Sequence, residues 1–210
     1  MPKPKPRLLQ KPVGAYHHGN LRRALLDATL QLLGEEGPDT FSLREVARRV
    51  GVDHRAAYKH FEDRAALLAA LATEGYEALL AAVRGALAGA TTDAAGARLI
   101  VAAQATMQFA VDHAALYRLM SGPRLNEGSR FPALEQALLD NMVELQREIS
   151  RGVASHEFVE LDVLEASIAF WAALSGLIGF VLSKRVRVKR ERLADFTARA
   201  MSHSVRGFRS

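Results

Sequence analysis

Residues 42–61 read SLREVARRVGVDHRAAYKHF, and this stretch decides the fold of the chain's first part. Ser42 followed three residues later by Glu45 is a capping box, in which the hydroxyl caps a free amide and the carboxylate reaches back. Val46, Ala47 and Val50 supply the inward face of a short helix over 43–50, with Ala47 small enough for a second helix to cross closely. Gly51 permits the left-handed backbone of a tight inter-helix turn. Val52 plugs that turn, and Asp53 caps a second short helix over 54–61. Tyr58 and Phe61 are expected to lock this second helix onto the rest. His54, Arg55, Ala56, Lys59 and His60 remain on the outside, small or cationic. Two short helices about a glycine turn form a helix-turn-helix, whose second helix reads DNA.

Working outward, the charge distribution supports that reading. The 210 residues carry a net charge of +5, unevenly spread. Residues 1–61 hold 11 Lys/Arg against 6 Asp/Glu and four of the seven histidines; residues 62–183 hold 8 against 15; residues 184–210 hold 9 against 2. A basic front ahead of an acidic body points to a polyanion partner at the front, because phosphate neutralisation dominates non-specific nucleic-acid binding. The N-terminal MPKPKPRLLQKP has prolines at 2, 4, 6 and 12 and four cations without an acid. It is expected to be an extended arm over 1–15 that adds minor-groove or non-specific contacts. The amides that open the next helix, from His18 through Asn20 to Leu21, are free donors suited to a phosphate.

Outside 42–61 the pattern is helical as well. Leu21, Ala24, Leu25, Ala28 and Leu32 form a stripe at helical spacing, and Gly37-Pro38 ends it. Further helices are predicted over 64–87, 94–113, 116–121, 131–153, 161–183 and 189–202. No stretch alternates like a half-buried strand, so the fold class is all-α. The domains read as a helix-turn-helix DNA-binding domain over 16–63 and a helical effector-binding and dimerisation domain over 64–210. Cysteine is absent, which removes disulfide frameworks, thiol catalysis and cysteine-based zinc sites. The composition fits a cytoplasmic protein, and no apolar run of a secretory signal opens the chain.

The runs YHHGNLRRALLDATLQLLGEEG and FSLREVARRVGVDHRAAYKHFEDRAALL resemble the DNA-binding domain of TetR/AcrR-type transcriptional regulators. The match spans about Tyr16 to Leu71, and Ala47, Gly51, the Tyr58-x-x-Phe61 pair, Arg64 and Leu67 carry most of it. LYRLM (116–120) and Trp171 ahead of Ser175-Gly176 are similar to a subgroup with a Trp-x-x-x-His-Gly motif, with Ser175 in place of the histidine. The resemblance implies a homodimeric regulator that binds a palindromic operator, with a small effector in the C-terminal domain shifting the separation of two DNA-reading heads. It also implies that Ser42, Arg44, Tyr58, Lys59 and His60 hold phosphates, while His54, Arg55 and Ala56 meet base edges.

In the body, Met107, Phe109, Tyr117, Met120, Met142, Phe170 and Trp171 are the candidate lining of an effector cavity, with plain core packing as the alternative. Few charges are expected there, so the expected effector is largely apolar. Residues 166–183, ASIAFWAALSGLIGFVLS, are 18 uncharged residues at the lower limit of a membrane span. The preferred reading is a dimer interface using Leu174, Ser175, Ile178, Gly179 and Leu182, with the last helix completing a four-helix bundle across a two-fold axis. A small membrane-associated protein anchored by 166–183 is the alternative. The basic run 184–192 reads as a solvated connection, with a second nucleic-acid patch as its alternative. No nucleophile elbow, phosphate loop or metal-ligand spacing is present, so no enzyme activity, metal or cofactor is expected.

Overall fold

The computed structural model describes residues 21–37, 40–122 and 125–209. The N-terminal arm, His18 and Asn20 lie outside the described residues. Among the described residues nine α-helices account for nearly all regular structure, and there is no strand. The chain divides into two compact units, between Leu68 and Ala69.

In the first unit, helix α1 (Leu21–Glu35) buries Leu25, Leu26, Ala28, Thr29, Leu32 and Leu33, an apolar stripe two residues wide per turn. Against it pack α2 (Leu43–Val50) and α3 (His54–Tyr58). Phe41, Leu43, Val46, Ala47, Ala57 and Phe61 complete this small core. Helix α4 (Arg64–Ala88) starts in this unit and continues in the second.

The second unit is built around α5 (Ala95–Asp112), which packs on α9 (Leu193–Gly207), α7 (Pro132–Ala154), α8 (Val163–Leu182) and α6 (Ala114–Met120). Leu99, Ala103 and Met107 from α5 are fully buried. A leucine or methionine side chain contributes about 1.5–3 kcal/mol when it leaves water. His113 breaks the α5–α6 path, and the two helix axes meet at 112°. Tyr76 on α4 donates its hydroxyl to the Met120 carbonyl at 2.8 Å, which ties α4 to the end of α6. Burial, helped by nearby Tyr117, pushes the Tyr76 phenol up to about 12, so it stays a donor.

Two close approaches join the C-terminal part. Gly152 on α7 lies flat against the ring of Phe158, and a Cβ there would overlap that ring. Phe158 in turn meets Phe208 edge-on, 5.5 Å between ring centres. Glu157 accepts from the amides of Ala95 (2.6 Å) and Gly96 (3.2 Å) and pairs with Arg209, so a carboxylate distant in sequence caps α5. The final helix therefore starts later and runs longer than the 189–202 expected: a 3₁₀ turn over Arg190–Arg192 precedes it, and it ends at Gly207.

Candidate nucleic-acid interface and effector cleft

The turn of the helix-turn-helix is built as its residue types require. The Ser42 hydroxyl accepts from the Glu45 amide at 3.2 Å and opens α2. Gly51 closes it at φ 79°, ψ 29°, while the amides of Gly51 and Val52 donate to the carbonyls of Arg48 and Ala47. That pair of bonds is a Schellman motif, which only a residue tolerant of positive φ can hold cheaply. The Asp53 carboxylate then accepts from the Arg55 amide at 2.8 Å and starts α3.

Two expectations change here. Glu45 does not reach back to the cap; it turns to Arg48, whose Nε donates at 3.0 Å and holds the Glu45 carboxyl below its ordinary range. A guanidinium one turn on offers a stronger, charge-assisted partner than a backbone amide. Tyr58 does not lock α3 inward. It is 44% exposed and meets His54 edge-on, while Ala57, fully buried, makes the close contact. Helix α3 ends at Tyr58, and Phe61 reaches the core from the following turn.

These contacts sort the cations. Arg23 pairs with Asp27, Arg48 with Glu45, and Arg49 with Glu35 through two bonds of 2.7 and 2.6 Å. Arg22 lies over the Phe61 ring at 5.4 Å and Arg64 over Phe41 at 5.2 Å. Arg44, Arg55 and Lys59 are exposed and have no acidic partner among the described residues. His54, Arg55, Tyr58 and Lys59 fall at positions i, i+1, i+4 and i+5, so they share the outer face of α3, with Ala56 half-buried at its border. Ser42 and His60 are also exposed. Arg44 on α2, Arg55 on α3 and Lys59 just after it thus remain available to an external anion, while Arg23, Arg48 and Arg49 are held by acids.

The family relations agree with this geometry. Residues 25–71 match the model for bacterial regulatory proteins of the tetR family, and residues 99–203 match the model for a tetracyclin repressor-like C-terminal domain. The chain belongs to the TetR family. It is a transcriptional regulator with a DNA-binding domain, and not an enzyme. Over 53 residues it is 40% identical to the class D tetracycline repressor of Escherichia coli, covering 25% of this chain and 24% of that protein. The chain thus matches about a quarter of the length of its curated TetR relatives. A solved protein of unknown function from Rhodococcus sp. RHA1 is similar along its length: 31% identity, TM-score 0.78, 93% of this chain and 98% of that one. The regulator FadR of Bacillus subtilis, solved with stearoyl-CoA, shares the fold at 17% identity and TM-score 0.71, over 88% of this chain and 97% of that one.

The second unit contains a narrow cleft of about 40 Å³ between α4, α5, α7 and α8. That volume lies well below the roughly 300–1,000 Å³ usual for small-molecule sites. Of the residues singled out in the sequence, Phe170 and Trp171 line it. Met120 lines a separate and roomier cleft of about 340 Å³ with Tyr76, Leu134 and Leu138. Met107, Phe109 and Tyr117 are buried in packed core, and half-buried Met142 lines neither cleft. The narrow cleft is not free of charge. Glu144 and Glu148 of α7 form part of its wall, with 8% and 3% of their side chains exposed. Arg84 Nε donates to Glu144 at 2.8 Å, and Arg98 grips Glu148 at 2.7 and 3.0 Å. The sequence signal was present but disguised. Leu134, Ala137, Asn141, Glu144, Glu148 and Gly152 follow one another at helical spacing, which places both carboxylates on the stripe that faces inward.

The expected dimer residues also change. Leu174 and Ile178 are buried inside the single chain, at 3% and 0% exposure, and cannot meet a partner. Ser175 and Leu182 are half-buried, and Gly179 is exposed with open space where a Cβ would be. The large apolar side chains that α8 leaves outside are Leu164, Ile168 and Phe180, each about half exposed. Helices α4 and α8 are both long and apolar enough to cross a membrane.

Proposed function

We propose that this regulator acts as a cytoplasmic homodimeric repressor that binds a palindromic operator and responds to a small effector. The observation that carries the reading is the sorting of cations: Arg44, Arg55 and Lys59 lack acidic partners among the described residues, while the other cations of α1 and α2 that bear on the fold are tied to acids or rings. Ser42, Arg44, Tyr58, Lys59 and His60 are assigned to phosphates, as are His18 and Asn20, which lie outside the described residues. His54, Arg55 and Ala56 are assigned to base edges, Arg55 to guanine O6 and N7 and Ala56 to a thymine methyl.

Dimerisation is assigned to the outer face of α8. Leu164, Ile168, Gly176 and Phe180 follow at spacings of four and eight residues, an open apolar strip on one side of the helix. The same strip explains the uncharged run without a membrane, since a helix apolar all round serves equally between its own core and a second subunit. A dimer also doubles a recognition helix that is only five residues long. The effector site is assigned to the roomier cleft of the second unit, of about 340 Å³, lined by Tyr76, Met120 and Leu134.

Selection of bound DNA from a random pool tests the reading, and a two-fold motif is the expected result. Against that motif, Arg55→Ala is expected to cost about 1–3 kcal/mol and relax preference at one base pair. Lys59→Ala is expected to weaken all sequences alike and reduce the salt slope by about 1. Equal losses at every sequence for both variants, or a pool without symmetry, refute the assignment.

A further inference from the structure

We infer that a second copy of this chain seats across α7 and α8 together, with α9 left outside, and that this seat closes the open side of the 340 Å³ cleft. The inference rests on the assignment of dimerisation to α8 and of the effector to that cleft.

Large apolar side chains left in water mark where a partner covers a protomer. Among the described residues of the second unit they fall on one helix pair and its connection. Leu138, Leu139 and Val143 of α7 are between 43% and 49% exposed, Val159 follows in the connection, and Leu164, Ile168 and Phe180 stand on α8. Helix α9 has none. Its outer positions include Asp195, Arg199, His203 and Arg206, and these are matched among themselves. Asp195 pairs with Arg192 at 3.1 Å and with Arg199 at 3.2 Å, and Arg206 reaches the His203 ring at 2.7 Å. Drying a face of paired charges costs their hydration and gains no new partner. The last helix is therefore not part of the bundle that the sequence suggested.

The two apolar sets form one surface. Helices α7 and α8 pack on each other and are joined by residues 155–162 alone, so they run antiparallel. Leu138 lies about 24 Å from the end of α7 and Phe180 about 26 Å from the start of α8, which sets them level. On α7 the exposed apolar residues keep to one edge. Gln136, Asp140, Arg147 and Arg151 hold the other at helical spacing, and Arg84 of α4 reaches that edge through Glu144.

The occupant is a second copy because the charges of this surface match themselves under a two-fold axis. Glu160 and Glu165 are exposed at the start of α8, Lys184 and Arg185 just past its end, and none has an ionic partner among the described residues. Ala172, Ala173 and Gly176 are exposed near the middle, where nothing larger than a methyl keeps another helix away. Two such helices crossing antiparallel at these small residues bring the acidic end of each to the basic end of the other, whereas a parallel pair sets like charges together. The antiparallel seat lays the partner subunit's Leu164 and Ile168 toward Phe180 and the level residue Leu138. Leu138 and Leu139 also line the roomier cleft, with Tyr76, Met120 and Leu134. In a lone chain that wall is half in water, and under a partner it is dry.

The chain has no cysteine, so a single introduced thiol reports its own surroundings. Leu138→Cys, Val143→Cys, Phe180→Cys and Arg199→Cys are each treated with a maleimide at a concentration where sedimentation gives the dimer mass. Each rate is compared with that of the same variant unfolded in urea. Reaction at 138, 143 and 180 is expected to be at least tenfold slower than unfolded, and Arg199→Cys is expected to stay within a few-fold. Free reaction of Val143→Cys, or protection of Arg199→Cys, overturns the inference and leaves the dimer standing. Protection of Val143→Cys with free reaction of Leu138→Cys overturns the closure of the cleft. A Val143→Cys chain that turns monomeric with its helix content intact supports the seat on α7. A parent chain of monomer mass overturns the dimer and the inference together.

Discussion

Replacing Arg98 by Met isolates the energetics of the ion pair at the centre of the second unit. Arg98 makes three hydrogen bonds, two to Glu148 and one to the Leu87 carbonyl in the last turn of α4. Methionine keeps much of the aliphatic stem and removes the charge. Glu148, with 3% of its side chain exposed, is then left with Arg151 alone, at 3.5 Å and 41% exposed. Breaking one side of a buried pair costs about 3–5 kcal/mol, because the survivor stays desolvated without compensation. The residual partner places Arg98→Met toward the lower end, near 3 kcal/mol, or roughly 6–12 °C in Tm for a chain of this length. Removing both charges has a different cost. In Arg98→Met/Glu148→Met the desolvation penalty disappears with the pair, so the double variant is expected within about 1 kcal/mol of the parent. Equilibrium urea unfolding of the three proteins measures the difference. A single variant that loses less than about 1 kcal/mol, or a double variant as unstable as the single, refutes the argument that the pair is buried and mutually dependent.

The Glu157 carboxyl makes stability depend on acidity. Burial raises its pKa, but Arg209 and the amides of Gly96 and Ala95 together outweigh burial, and the net shift is downward from 4.5. A carboxyl depressed in the folded state stabilises fully above its unfolded value and loses that contribution as pH falls through the lower folded one. Thermal unfolding of Glu157→Gln is therefore expected to show a lower Tm than the parent at neutral pH and a gap that closes in acid; a constant gap contradicts the assignment. Gly152→Ala weighs two opposed effects. Alanine gains up to about 1 kcal/mol of helix propensity over glycine, but its Cβ overlaps the Phe158 ring, and overpacking of this kind costs about 1–3 kcal/mol. Net destabilisation in urea is expected, and a more stable variant shows that Phe158 moves aside freely.

Much of the fold was legible because it depends on neighbours in sequence. Capping at Ser42 and Asp53, the left-handed turn at Gly51 and the bounds of α2 are set within four or five residues, and each residue there has one favourable conformation. The helix-turn-helix and its exposed cations followed from that local grammar, as did the all-α class from the period of apolar residues. Failures began where a residue's surroundings come from elsewhere in the chain. Tyr58 and Ala57 are adjacent, and only the packing of α3 on α1 and α2 decided that the smaller one goes inside.

Local spacing thus determined the helices, the turn and which cations stand at its surface, since backbone conformation is governed by nearby atoms. The tertiary structure alone decided that Glu144 and Glu148 line a narrow cleft rather than stand in water, that Leu174 and Ile178 belong to the protomer's own core, and that Arg84 and Arg98 reach the same helix from different elements. Burial is a property of what packs against a side chain, and for these residues the partners lie fifty or more positions away for the ion pairs.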